Sequence, residues 1–77
     1  MNLSQAKFLT MLEIVNLASG EEQKERLQEL GILVGTQVQL VRKSPFTGPL
    51  IIQVGTAFVA LRKDDADAIE VVEAAQV

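Results

Sequence analysis

The chain contains no cysteine. Disulfide staples, thiolate metal sites and thiol nucleophiles are excluded at once. There is no histidine either, so the usual general base and the commonest transition-metal ligand are both missing. Tryptophan and tyrosine are absent, and the only aromatic residues are Phe8, Phe46 and Phe58. A stacking platform for RNA bases or a shelf for sugar rings needs more rings. Basic charge is short: Lys plus Arg is 7 against 10 for Asp plus Glu, a formal charge of −3. Non-specific nucleic-acid binding draws on a basic excess, so no nucleic-acid partner is expected. The longest apolar run is Ala57-Phe58-Val59-Ala60-Leu61, far short of the roughly 20 residues that span a bilayer. The start, Met1-Asn2-Leu3-Ser4-Gln5, lacks the basic lead and apolar core of a signal peptide. The expectation is a cytoplasmic chain with no direct membrane insertion.

What is present suffices for one small core. With 77 residues, 48% of them hydrophobic, and a mean hydropathy of +0.25, the chain is expected to be one folded domain over residues 1–77. Residues 1–7 read as a short lead and 74–77 as a frayed tail. From Phe8 to Leu17 large apolar residues fall on both parities, which predicts one long strand, bulged along its length. Ser19 and Glu22 have capping-box spacing and predict a helix over about 20–30, with Ser19 as its cap. Glu22 and Arg26 stand at i,i+4 with the acid first, the favourable order for a pair. Leu27 and Leu30 share a face, and Gly31 supplies a left-handed stop.

Leu33-Val34-Gly35 reads as a turn into a strand over Thr36–Lys43, where Val38 and Leu40 alternate with Gln37 and Gln39. Two prolines and a glycine make Ser44–Pro49 a loop. Leu50, Ile52 and Val54 mark a third strand. Gly55-Thr56 permits a tight turn, and Ala57–Arg62 is a fourth strand. Asp64 to Ile69 suits a single helical turn capped by Asp64, with Ala66 and Ile69 on one face. Val71-Val72 is a last short strand. Five short strands, one helix and one helical turn fit a mainly β fold, a small, partly open antiparallel barrel, because closure removes exposed sheet edges.

Three segments in this order resemble the FeoA family, small cytosolic companions of the bacterial ferrous iron transporter. Arg26-Leu27-Gln28-Glu29-Leu30-Gly31-Ile32 with Gly35 is similar to the family's Arg-Leu-x-x-Leu-Gly-hydrophobic-x-x-Gly motif. Pro45-Phe46-Thr47-Gly48-Pro49-Leu50, with Ile52, Val54 and Gly55, is similar to its Pro-x-x-x-Pro loop and following strand. Ala60-Leu61-Arg62, with Ala66, Ile69 and Val71, is similar to its ending. The resemblance spans about 8–72. It departs in the lead, where Leu3-Ser4-Gln5-Ala6-Lys7 lacks the glycine turn that usually precedes the family's first strand. The resemblance implies an SH3-like barrel and a non-enzymatic accessory role in ferrous iron transport. The implied partner is FeoB, a membrane permease with a G-protein domain. An alternative implication is a regulatory, transition-metal-responsive barrel like the C-terminal domain of diphtheria-toxin-repressor-type iron-dependent repressors. The expectation that no DNA-binding helix pair precedes this barrel favours the first reading. A third reading, a ribosomal-type RNA-binding barrel, is opposed by the net charge and the few rings.

Residue by residue, Leu27, Leu30 and Ile32 are expected to plug one end of the barrel, with Gly31 and Gly35 at positive φ. Arg26 and Arg62 either pair with a carboxylate among Asp64, Asp65 and Glu29 or contact a partner. Phe46, near the tip of a proline-stiffened loop, is either an exposed anchor or a cover over the barrel mouth. Arg42-Lys43 flank that loop and either steer an acidic partner or are simply solvated. The candidate partner-binding residues are therefore Arg26, Arg42, Lys43, Phe46 and Arg62. Asp64, Asp65, Asp67 and Glu70 do not match a calcium-loop spacing, and acids are expected at a helix start anyway. No cofactor is expected, and direct binding of iron or another divalent metal has no His or Cys to support it. Ser4, Ser19 and Ser44 have no histidine to activate them, so no enzyme is expected. Self-association through the sides of short strands stays open.

Overall fold

The computed structural model describes residues 1–46 and 48–74. In chain order its elements are a 3-10 turn (Leu3–Gln5), β1 (Leu12–Leu17), α1 (Glu21–Glu29), β2 (Gln37–Lys43), β3 (Leu50–Val54), β4 (Ala57–Leu61), α2 (Lys63–Asp67) and β5 (Ile69–Glu73). Alternation becomes strand wherever one parity is apolar: Val38 and Leu40 in β2, and Leu50 and Ile52 in β3, face inward. The five strands form one antiparallel sheet in the order β4-β3-β2-β1-β5. All five contribute to a single apolar cluster, completed by Leu3, Ala6, Leu27, Ile32 and Ala66. This is the small, mainly β, partly open antiparallel barrel expected. Among the described residues β4 and β5 do not pair with each other, and α2 carries the chain from one to the other.

The long apolar segment was expected to be strand from Phe8, but β1 begins only at Leu12. The chain turns at Leu9, whose φ is +59, and before that turn Phe8 makes an isolated parallel bridge to Leu40. The expected bulge is present: pairing of β1 with β5 slips between Ile14 and Asn16. Val15 and Asn16 are therefore both exposed while Ile14 and Leu17 are buried.

Four local expectations are corrected. Gly20, not Ser19, is the N-cap of α1, and the Ser19 hydroxyl is buried without a partner among the described residues. Arg26 pairs with Asp65 and not with Glu22. Leu30 does not join Leu27 and Ile32 as a plug: it closes the helix in the C-cap position and is 43% exposed. Asp64 does not cap α2; Asp65 accepts the Arg62 N–H at 3.2 Å, reaching back from the third helical position. The lead is also more than a lead. Leu3 is wholly buried, and the Val71 N–H donates to the Met1 carbonyl at 2.8 Å. Of the expected frayed tail, Ala74 donates its N–H to the Met11 carbonyl at 2.9 Å, and 75–77 lie outside the described residues.

Candidate functional site

Lys43, Leu50 and Leu61 form one row of the ladder, and Arg42, Ile51 and Ala60 the next. The loop Ser44–Pro49 therefore leaves the sheet at the same end as Arg62. Asp65 accepts from both the Arg62 N–H and the Arg26 guanidinium. The topology thus gathers all five candidate residues at one end of the barrel.

Their situations differ. Arg26 is committed. With Gln23, whose Nε2 donates at 2.7 Å, it satisfies the carboxylate of Asp65, which is only 4% exposed. A buried carboxylate without such donors would be strongly destabilising, so Arg26 reads as a structural partner. Lys43 sends its Nζ to the Ser4 carbonyl at 3.0 Å and ties the lead to the sheet. Arg42 and Arg62 are exposed, and neither makes an ion pair among the described residues.

Phe46 does not fold over the barrel mouth: it is 95% exposed, with φ at +64. A non-glycine residue in that region costs on the order of 1 kcal/mol. The loop shape behind it is narrow. Ser44 donates its N–H to the Pro49 carbonyl at 3.1 Å, and a Cβ on Gly48 would stand 2.5 Å from the Ser44 Cβ. Glycine is required there by space alone.

Beside this end a small network fixes the acids. The Ser4 hydroxyl oxygen lies 2.6 Å from Asn2 and 2.5 Å from Asp67 Oδ1, and its single proton goes to the charged carboxylate. Lys63 donates to the other oxygen of Asp67 at 3.1 Å. The Ser4 hydrogen bond, followed by that from Lys63, holds the Asp67 carboxyl below its ordinary 3.8. Among the described residues no group of three or more His, Cys, Asp or Glu is placed to hold a metal ion. No helix there is long and apolar enough to cross a membrane.

Two residues matter here that sequence reasoning did not single out. Asp65 was one acid among several, although its place three residues after Arg62 is the capping-box interval. Phe58 was a generic strand residue, although its parity, opposite to that of buried Leu61, already places it outside.

The model of the family described as "FeoA domain" matches residues 1–73. Among solved structures, iron(II) transport protein A from Clostridium thermocellum is 30% identical with a TM-score of 0.88, over 95% of this chain and 45% of that one. This chain thus spans under half the length of that relative. The zinc-complexed FeoA of Stenotrophomonas maltophilia, described as an SH3 domain protein, is 33% identical with a TM-score of 0.74, over 94% and 89% of the two chains. A manganese-dependent transcriptional repressor shares the fold, with a TM-score of 0.87 at 17% identity, over 96% of this chain and 41% of that one. No curated protein sequence matches.

Proposed function

This chain belongs to the FeoA family, and from that premise we propose that it works by contact alone, as a cytosolic accessory protein docking on the FeoB permease. The family is linked to ferrous iron transport through relatives such as iron(II) transport protein A. The docking face is the barrel end that carries Phe46, Arg42 and Arg62, with Lys43 at its border.

The observation that carries this reading is Phe46. Its ring gains nothing inside the molecule, being 95% exposed, and its backbone is held at φ +64. The exposure is relieved if the ring enters a pocket on a partner, where an aromatic anchor is worth about 2 kcal/mol or more, and the fixed backbone behind it presents the ring in one orientation. Arg42 and Arg62, in no ion pair among the described residues, suit an acidic rim around that pocket. The partner is biased toward whichever of its conformations presents that surface.

Calorimetric titration with the FeoB cytosolic domain, with and without guanine nucleotide, tests this. Binding is expected, weakened at least about tenfold by Phe46→Ala. Arg42→Glu with Arg62→Glu should slow association and reduce its salt dependence. No heat at high micromolar concentration in either nucleotide state would overturn the proposal. The likeness to the repressor supports a second reading, a regulatory SH3-like domain acting within a larger metal-responsive assembly. A chain that ignores FeoB yet binds a metal-dependent repressor's DNA-binding part would favour it.

A further inference from the structure

The two borders of the sheet are treated differently. On β5, the Val71 N–H is taken by the Met1 carbonyl and Asn2 bridges Glu70, so the N-terminal residues cover that edge. On β4 nothing comparable is found among the described residues. The strand is Ala57-Phe58-Val59-Ala60-Leu61, with no charge, no proline and no bulge. Such an edge lacks every device that normally blocks further pairing.

The register of the β3–β4 hairpin decides which groups are free. The turn Gly55-Thr56 has two residues, so Val54 and Ala57 are the hydrogen-bonded closing pair. Alternation then directs the backbone N–H and C=O of Ala57, Val59 and Leu61 to β3, and those of Phe58 and Ala60 outward. The outward pair lies on the outer face of the sheet, where Phe58 is 64% exposed and Ala60 is exposed.

We propose that β4 pairs with β4 of a second copy, antiparallel and centred on Val59, making one continuous sheet through two barrels. The strand is complementary to itself in that register. Phe58 of each copy stands opposite Ala60 of the other, a large side chain over a small one, and the two form the hydrogen-bonded pairs on either side of the axis. Charge agrees. Arg62, which has no ion pair among the described residues, falls opposite Thr56 of the second copy. The β3–β4 turn there lies beside the end of α1, since Val54 Cγ1 is 3.8 Å from a Cβ placed on Gly31. Glu29 near that helix end is exposed and in no ion pair among the described residues.

Area sets the strength. Two five-residue edges and two phenylalanine rings bury less than the roughly 1,200 Å² at which stable interfaces begin. The pair is therefore reversible and concentration-dependent.

The test is sedimentation equilibrium of the full chain from low micromolar to millimolar concentration, with amide hydrogen exchange across the same range. Dimer is expected at the upper end, with the Phe58 and Ala60 amides slowing at least several-fold while the Val59 amide, already bonded to β3, is unchanged. Phe58→Lys and Ala60→Glu should each leave monomer throughout. The double variant should recover the dimer, because the opposite charges then meet across the axis. Monomer at every concentration, protection elsewhere than at Phe58 and Ala60, or a double variant no better than the singles would overturn the proposal. The exchange pattern of the unaltered chain keeps the test decisive if a variant fails to fold.

Discussion

A buried carboxylate is tolerated only when its lone pairs are filled, and at Asp65 three donors do so: the Arg26 guanidinium, the Gln23 amide and the Arg62 N–H. One side chain thereby joins α1 to the start of α2. The family-like Arg26 and Arg62 thus meet at one acceptor, Arg26 by its side chain and Arg62 by its backbone. Asp67 shows the exposed counterpart. Its carboxyl is held below 3.8, chiefly by the Ser4 hydroxyl and then by Lys63. A depressed folded value means that the stabilisation is fully present above the unfolded value near 3.8. It is lost as pH falls through the lower folded value. Asp67→Asn should therefore flatten the acid limb of a stability profile measured by urea unfolding below about pH 4, and Ser4→Ala should flatten it in part. An unchanged acid limb in both variants would show that the network carries no linkage.

At the level of elements, α1 depends on very few contacts. Leu27 is its one buried residue, so Leu27→Ala should cost about 3 kcal/mol, whereas Leu30→Ala, at a half-exposed cap, should cost under about 1 kcal/mol. Comparing the two by urea unfolding checks the assignment. In the loop between β2 and β3, Gly48→Ala should cost about 1–2 kcal/mol, since the added methyl collides with Ser44 and the backbone must yield. Strand alternation in β2, β3 and β4 was legible because one parity is apolar and the breakers are unambiguous. The start of β1 was not. Phe8, Leu9 and Met11 look like strand, yet all three are exposed, and the turn at Leu9 uses a φ that its side chain gives no hint of. The helix cap was off by one residue because Ser19 and Gly20 both suit that position and only packing chooses between them. The candidate site was legible as residue types. Its assembly was legible only as alternatives: Asp65 was one of three carboxylates open to Arg26, and the choice among them rests on a pairing across about 40 positions of chain.

For the molecule as a whole, the N-terminal turn belongs to the core. Leu3 is wholly buried, and its turn packs against α2 and β5. Leu3→Ala should lower stability by about 3 kcal/mol within one cooperative transition. Separate transitions by circular dichroism and by hydrogen exchange of β5 would show instead that the turn unfolds as its own unit. A chain with a formal charge of −3 still presents at one end two arginines that make no ion pair among the described residues, so attraction to an acidic partner is local and should fade with added salt. The pairing of β1 with β5 has a further consequence. Leu12 meets Glu73 and Leu17 meets Ile69, so an early strand has to wait for one of the last. While the nascent polypeptide is still emerging, β1 can hydrogen-bond only to β2 and the cluster stays open to water. The barrel is therefore finished only once β5 is free to pair, and a chain deprived of β5 would hold a sticky, unclosed sheet.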